Sequence, residues 1–388
     1  MPAPHASSDG SSAAVPATDL LRRARSLPKV LLHEHLDGGL RVATLLALLR
    51  ERGIAAPAPD EDALAAWFDA RAHAGSLDEY LRGFALTVAA MATPQALERV
   101  AFEAAEDARI DGCVLAEFRI APLLFEPHGV AGDAAVAALL RGLSRSPLPS
   151  GLIVCAMRHE SEAQITRAAE LALRWFEQPP LPTSPPAPAS ARVIGFDLAG
   201  PEAGWPATHH AALLARLRRA GLGLTLHAGE ADHGQRVLEA ARLGAQRIGH
   251  GVRLADLLDG PDAPALLAEL HQCQVHLEVC PTSNLHTGAA ASLALHPIHA
   301  LWRAGISLSF HTDNRLMSRT DPSREALGLL QAGFGWADLV QMGLQAAEAS
   351  FLPAAVRQAA QHALQAWAQG EGRPLLAGAP PTTAHQPR

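Results

Sequence analysis

The sequence predicts a single-domain (β/α)8 TIM barrel of the α/β class. Three observations carry that expectation: eight short apolar runs alternate with longer helical segments, nearly every run ends in polar residues, and 388 residues can form one large domain. The runs are "KVLLH" (29–33), "GCVLAEFRI" (112–120), "GLIVCAM" (151–157), "RVIGFDL" (192–198), "LGLTLHA" (222–228), "QRIGH" (246–250), "VHLEVC" (275–280) and "ISLSFHTD" (306–313). Segments between them, such as "ATHHAALLARLRRAG" and "HGQRVLEAARLGA", carry the spacing of amphipathic helices with a glycine at or just past the end. Strands separated by helices pair in parallel, and eight of them close a barrel. All strand C-termini then open on one face, so the polar residues that end the runs (His33 and His35, Glu117 and Arg119, Asp197, His227, His250, Asp313) are expected to meet around one axis.

Residues 1–18 are Ala/Ser/Pro-rich and residues 371–388 lack a helical period, so both ends are expected to be tails flanking a catalytic barrel over 19–370. The Pro-dense stretch at 177–190 is expected to be a surface loop inserted within that one domain. Extra helices are expected between the first two strands. There "WFDARAHAGSLDEYLRGF" (67–84) either covers the barrel mouth or forms an ordinary outer helix, and both readings stand.

Hydrophobic residues make up 48% and charged residues 18%, which favours a sizeable core over global disorder. The net charge of −7, with no dense Lys/Arg block, argues against nucleic acid or an anionic membrane as the main partner. Cys113, Cys155, Cys273 and Cys280 form no CxxC pair and sit in or beside apolar runs, as buried thiols of a reducing compartment would. The first residues lack the basic start and apolar stretch of a signal peptide, and no apolar run is long enough to span a bilayer. A cytoplasmic protein is expected.

The chemistry begins at "KVLLHEHLDGGL" (29–40). Residues i and i+2 of a strand share a side, so His33 and His35 can both enter the barrel mouth while Glu34 points away. Imidazole is a common zinc ligand, although His-x-His alone is a weak signal. In "LTLHAGEADHG" (224–234) His227 ends the fifth run and Glu230 follows after Gly229, which permits a sharp turn. A third histidine with a nearby carboxylate is the usual equipment of metal-assisted hydrolysis, yet Glu230 also reads as an early-helix acid. His250, between Gly249 and Gly251, is either a proton-handling group beside the metal or a satisfied core histidine. Asp313 ends the eighth run and can complete a ligand set, with His311 as a competing candidate two residues earlier.

Six stretches, "KVLLHEHLDGGL", "GFDLAGPE", "HAGE", "RIGHG", "CPTSNLHTGA" and "TDN", resemble in order those of the adenosine deaminases, metal-dependent enzymes of the amidohydrolase superfamily. They run from residue 29 to about 320, most of the chain. The resemblance implies one zinc ion bound by His33, His35, His227 and Asp313, with Glu230 protonating purine N1 and His250 helping to deprotonate or orient the zinc-bound water. It implies a hydrolase acting on the C–N bond of a cyclic amidine, turning adenosine into inosine and ammonia, and 2′-deoxyadenosine into its deoxy counterpart, in purine salvage. His35, Asp37, Gly200 and Asn314 are the implied substrate contacts. Asp37 would accept a hydrogen bond from a ribose hydroxyl. The Gly200 N–H would meet purine N3, where a side chain would hold the ring away.

Two departures from the family pattern stand out. Asn314 occupies a position that is Asp in many members, and an amide donates to purine N7 at any pH. His311 stands where Asn is common. The main alternative is a related deaminase of adenine or another modified aminopurine nucleoside; the short Asp37 argues against the free base by favouring a nucleoside. A non-catalytic binding protein on the same barrel is disfavoured because every implied ligand and the acid are present. A nucleic-acid deaminase of the His/Cys/Cys type would need a PCxxC signature that is absent.

Overall fold

The computed structural model describes residues 17–72, 77–179 and 191–373; the tail ends and most of the Pro-rich stretch at 177–190 lie outside the described residues. Eight parallel strands pair in sequence order: β1 (Lys29–His35), β2 (Cys113–Ile120), β3 (Ser150–Met157), β4 (Val193–Ala199), β5 (Gly223–Ala228), β6 (Arg247–His250), β7 (His276–Val279) and β8 (Leu308–Phe310). All eight expected runs are strands. The last is far shorter than "ISLSFHTD", and beyond it the backbone turns left-handed at Asp313 (φ 58°). A parallel bridge between Glu34 and Asp313 then joins the sheet's two edges, with Asp313 N–H donating to His33 C=O at 3.0 Å and His35 N–H to Asp313 C=O at 2.7 Å. The barrel therefore closes at the candidate site.

Between strands the apolar faces of helices pack on the barrel. The helix Glu162–Glu177, N-capped by Ser161, buries Ile165, Ala168, Ala169 and Leu173. Thr93 caps the helix Pro94–Ile110 in the same way. Helices Val42–Glu51, Glu61–Ala72 and Leu77–Met91 precede it, which fulfils the expectation of extra helices between β1 and β2. Leu77–Met91 packs on the 3-10 turns Leu36–Gly38 and Pro122–His128, which follow β1 and β2, so it lies over the catalytic face rather than outside the barrel. No helix among the described residues is long and apolar enough to cross a membrane.

The inside of the barrel is not wholly apolar. Arg119, Arg247, Glu117, Asp197 and Glu278 are all buried there. Arg119 pairs with Asp197 at 2.9 Å and Glu278 at 2.6 Å, and Arg247 pairs with Glu278 at 2.6 Å and Glu117 at 2.7 Å. Glu117 further accepts from the Ser350 hydroxyl and the Phe351 N–H. Glu117 and Arg119 thus belong to this internal network rather than to the open face where their place in the second run put them.

Candidate active site

β1 delivers His33 and His35 to one place, their ring centroids 5.3 Å apart, while Glu34 turns away to Arg315 at 2.6 Å. His33 Nδ1 lies 2.9 Å from the Glu278 carboxylate, which can only accept, so the ring proton sits on Nδ1. Its Nε2 lone pair is buried, has no hydrogen-bond partner, and lies 3.3 Å from Asp313 Oδ1. Asp197 holds His227 Nδ1 in the same way at 2.9 Å, and His227 Nε2 faces His35 Nε2 at 3.4 Å. His35 Nε2 is also 3.5 Å from Asp313 Oδ1. Ser283 donates to the other Asp313 oxygen at 2.6 Å.

Lone pairs that converge without protons between them repel unless a cation sits among them. Imidazoles braced by carboxylates, with a further carboxylate, form the donor set of a first-row divalent ion, and the orphaned His33 Nε2 fits that role. Ionisation favours it too. Burial keeps His33 and His35 neutral by pulling their pKa values down. Against burial, the neighbouring His33 imidazole holds Asp313 well below the usual carboxylate range. Burial likewise opposes ionisation of Asp197, but His227 and Arg119 keep it charged.

Donor atoms of His33, His227, His250 and Asp313 all lie within 4.8 Å of one another, a metal-sized group. It contains His250 where the sequence resemblance puts His35. His250 differs from the others in its partners: Nδ1 is 3.1 Å from the Asn284 amide nitrogen and Nε2 is 3.4 Å from Glu230 Oε2. His311 is not in the group. Its Nδ1 accepts from the Leu32 N–H at 3.1 Å and its Nε2 bonds Ser309 Oγ at 2.7 Å, so both nitrogens are taken.

His250 and Asp313 both have left-handed backbones (φ 63° and 58°), which cost non-glycine residues about 1–3 kcal/mol each and recur at functional sites. Gly249 beside His250 has a steric reason: a Cβ there would come 3.0 Å from His33 Cε1 and 3.3 Å from His227 Cγ. Gly249→Ala is therefore expected to push both imidazoles out of line and weaken metal binding by roughly 10–100-fold. Metal retained after dialysis against a graded chelator series measures it.

Above the cluster is a cavity of about 210 Å³ lined by every expected site residue except His33, which lies behind it. Phe84, Leu124 and Met157 contribute apolar wall. Glu230 follows β5 and accepts from Thr287 Oγ1 at 3.0 Å; burial raises its pKa and so favours the protonated, donating form. Burial lifts Asp37 to about 7, and its Oδ1 has no partner. Asn314 is buried in the wall. Gly200 also lines the cavity. A Cβ there would come 3.1 Å from His159 Nδ1 and 3.2 Å from Met157 Cε, the latter part of the cavity wall, and its φ of 91° favours glycine as well.

Four functional neighbours were missed in the sequence: Glu278, Ser283 and Asn284, which contact His33, Asp313 and His250, and Glu202. The last three stand inside quoted motifs, "CPTSNLHTGA" and "GFDLAGPE", and Glu278 is a lone acid within an apolar run, a position that demands a buried partner.

The comparisons with known proteins agree with this site. The adenosine deaminase family model matches residues 28–367. The adenosine deaminase of Mycobacterium avium (strain 104) is 42% identical over 354 residues, covering 86% of this chain and 93% of that protein. That of Mycobacterium tuberculosis (strain H37Rv) is also 42% identical, covering 87% and 93%. Among solved structures, an amidohydrolase from Burkholderia ambifaria with bound Zn superposes with a TM-score of 0.78 at 22% identity, over 94% of this chain and 97% of that one. An adenine deaminase from Arthrobacter aurescens gives 0.77 at 24%, over 89% and 100%. At these identities the two structures speak for the barrel alone. Family model, relatives and the buried His/Asp group together place this chain in the adenosine deaminase family.

Proposed function

We propose that this chain hydrolyses the 6-amino group of adenosine and 2′-deoxyadenosine, giving inosine and 2′-deoxyinosine respectively, each with ammonia, with one zinc ion held by His33, His35, His227 and Asp313. The observation that carries the reading is one cavity that gathers metal-ligand candidates, a proton-handling pair and polar groups for a nucleoside. A bound zinc ion would supply an acidified water as nucleophile near neutral pH. The protein's own groups do the rest. Glu230, raised by burial, donates to purine N1 and so withdraws charge from C6. His250, held between Asn284 and Glu230, orients the water and takes its proton. The Gly200 N–H meets N3, the Asn314 amide donates to N7, and Asp37 engages a ribose hydroxyl. Assigning His250 to proton handling and His35 to the metal rests on their partners: His250 is already engaged at both nitrogens outside the imidazole–Asp313 cluster, whereas His35 Nε2 faces into it. Residues 19–370 act as one catalytic domain.

The test is ammonia release by the zinc-replete protein from adenosine, 2′-deoxyadenosine and adenine, with Asp37→Ala beside it. Turnover of both nucleosides, little from adenine, and a KM for adenosine raised about tenfold or more in the variant are expected, since a lost hydrogen bond to a charged group is worth about 1.5–3 kcal/mol. Preference for adenine would overturn the nucleoside assignment.

A further inference from the structure

Glu202, two residues beyond Gly200 on the loop after β4, is 4% exposed. Its carboxylate accepts three main-chain hydrogen bonds from a different loop, the one after β5. Oε2 accepts from Gly229 N–H and Asp232 N–H, both at 3.0 Å, and Oε1 from Glu230 N–H at 3.2 Å. The pairing of β4 with β5 ends at Leu198 and Leu226, so beyond it the sheet no longer ties these two segments together. Glu202 makes the tie instead. Buried Arg158 reinforces it from below by donating to the carbonyls of Leu198 and His227.

We infer that Glu202 is a positioning residue that locks the loop carrying Gly200 to the loop carrying Glu230, so that purine N3 and N1 are read at one fixed spacing. The inference rests on the function proposed above. A rigid aromatic ring fixes the separation of its two nitrogens, and neither loop is regular structure. Both contacts are met together only if something sets the gap between them. The task demands a carboxylate, because three converging N–H donors need several lone pairs and an amide would turn its own N–H2 toward one of them.

The test uses the zinc-replete full chain and Glu202→Gln. Turnover of adenosine, which needs both loops, is measured beside competitive inhibition by 1-deazaadenosine and 3-deazaadenosine, each of which keeps only one of the two nitrogens. The expected result is a loss of about 10²-fold in kcat/KM for adenosine, the scale of an ångström's misplacement. Both inhibition constants should stay within about threefold of the parent's, with zinc content unchanged. If the Gln variant does not fold, Glu202→Asp, which keeps the charge and shortens the reach, carries the same comparison. Adenosine turnover within threefold of the parent's, or parallel weakening of all three ligands, would overturn the inference. If instead the parent protein releases no ammonia from adenosine, the proposed function fails and takes this inference with it.

Discussion

Glu230→Gln is expected to lower kcat for adenosine by about 10²–10⁴-fold while KM and bound zinc stay near those of the parent protein. The carboxyl's place is set by groups that the substitution leaves intact: its N–H on Glu202, and Thr287 and His250 at its side chain. A glutamine fills the same space and still hydrogen-bonds, but it carries no proton acidic enough to pass to N1. Because burial raises the Glu230 pKa, the protonated form persists to higher pH than in an ordinary glutamate, and that form alone donates. Steady-state ammonia release, read with metal content, is the measurement. A variant that keeps more than a tenth of parental kcat would remove Glu230 from the proton path.

Glu278→Leu is expected to destabilise the fold by about 3–5 kcal/mol, because it leaves two buried arginines with one carboxylate each in place of two. Glu278 touches Arg119 at 2.6 Å, Arg247 at 2.6 Å, His33 at 2.9 Å and Thr225 at 3.1 Å, with no solvent to replace it. Asp197 still faces Arg119, and Glu117 still faces Arg247, so neither arginine loses its only partner. The loss therefore belongs at the lower end of that range if those pairs hold. His33 also loses the group that keeps its proton on Nδ1, so zinc affinity should fall by about 10–100-fold in the same variant. Urea unfolding of the metal-free protein separates the first effect from the second. Unfolding midpoints that coincide for parent and variant would mean that the network contributes nothing to stability.

The eight strands and the converging histidines were legible in the sequence because both follow from short-range rules. Alternation of runs fixed the barrel, and i, i+2 spacing put His33 with His35. What escaped was long-range pairing. Nothing local in "CVLAEFRI" says that Arg119 reaches Asp197 and Glu278 across the barrel, 78 and 159 residues away. The parallel bridge from Asp313 to Glu34 of β1, 279 residues apart in sequence and closing the barrel, is likewise a long-range contact that local sequence does not show. At Gly200 the structure adds a reason that composition does not show, a backbone φ of 91°. The segment at 67–84 was balanced between two readings; its residues 73–76 lie outside the described residues, and the helix Leu77–Met91 that contains its end packs on the turns after β1 and β2.

The charges inside the barrel satisfy one another across four strands, from Glu117 through Arg247 and Glu278 to Arg119 and Asp197. A single exchange along that chain takes one buried partner from each neighbour it touched, so paired changes are the less costly route for drift there. The apolar wall of the cavity, to which Leu124 and Met157 contribute, carries no such chain of buried charges. Descendants selected for a different nucleobase should accordingly record their history in that wall and inherit the barrel's centre unaltered.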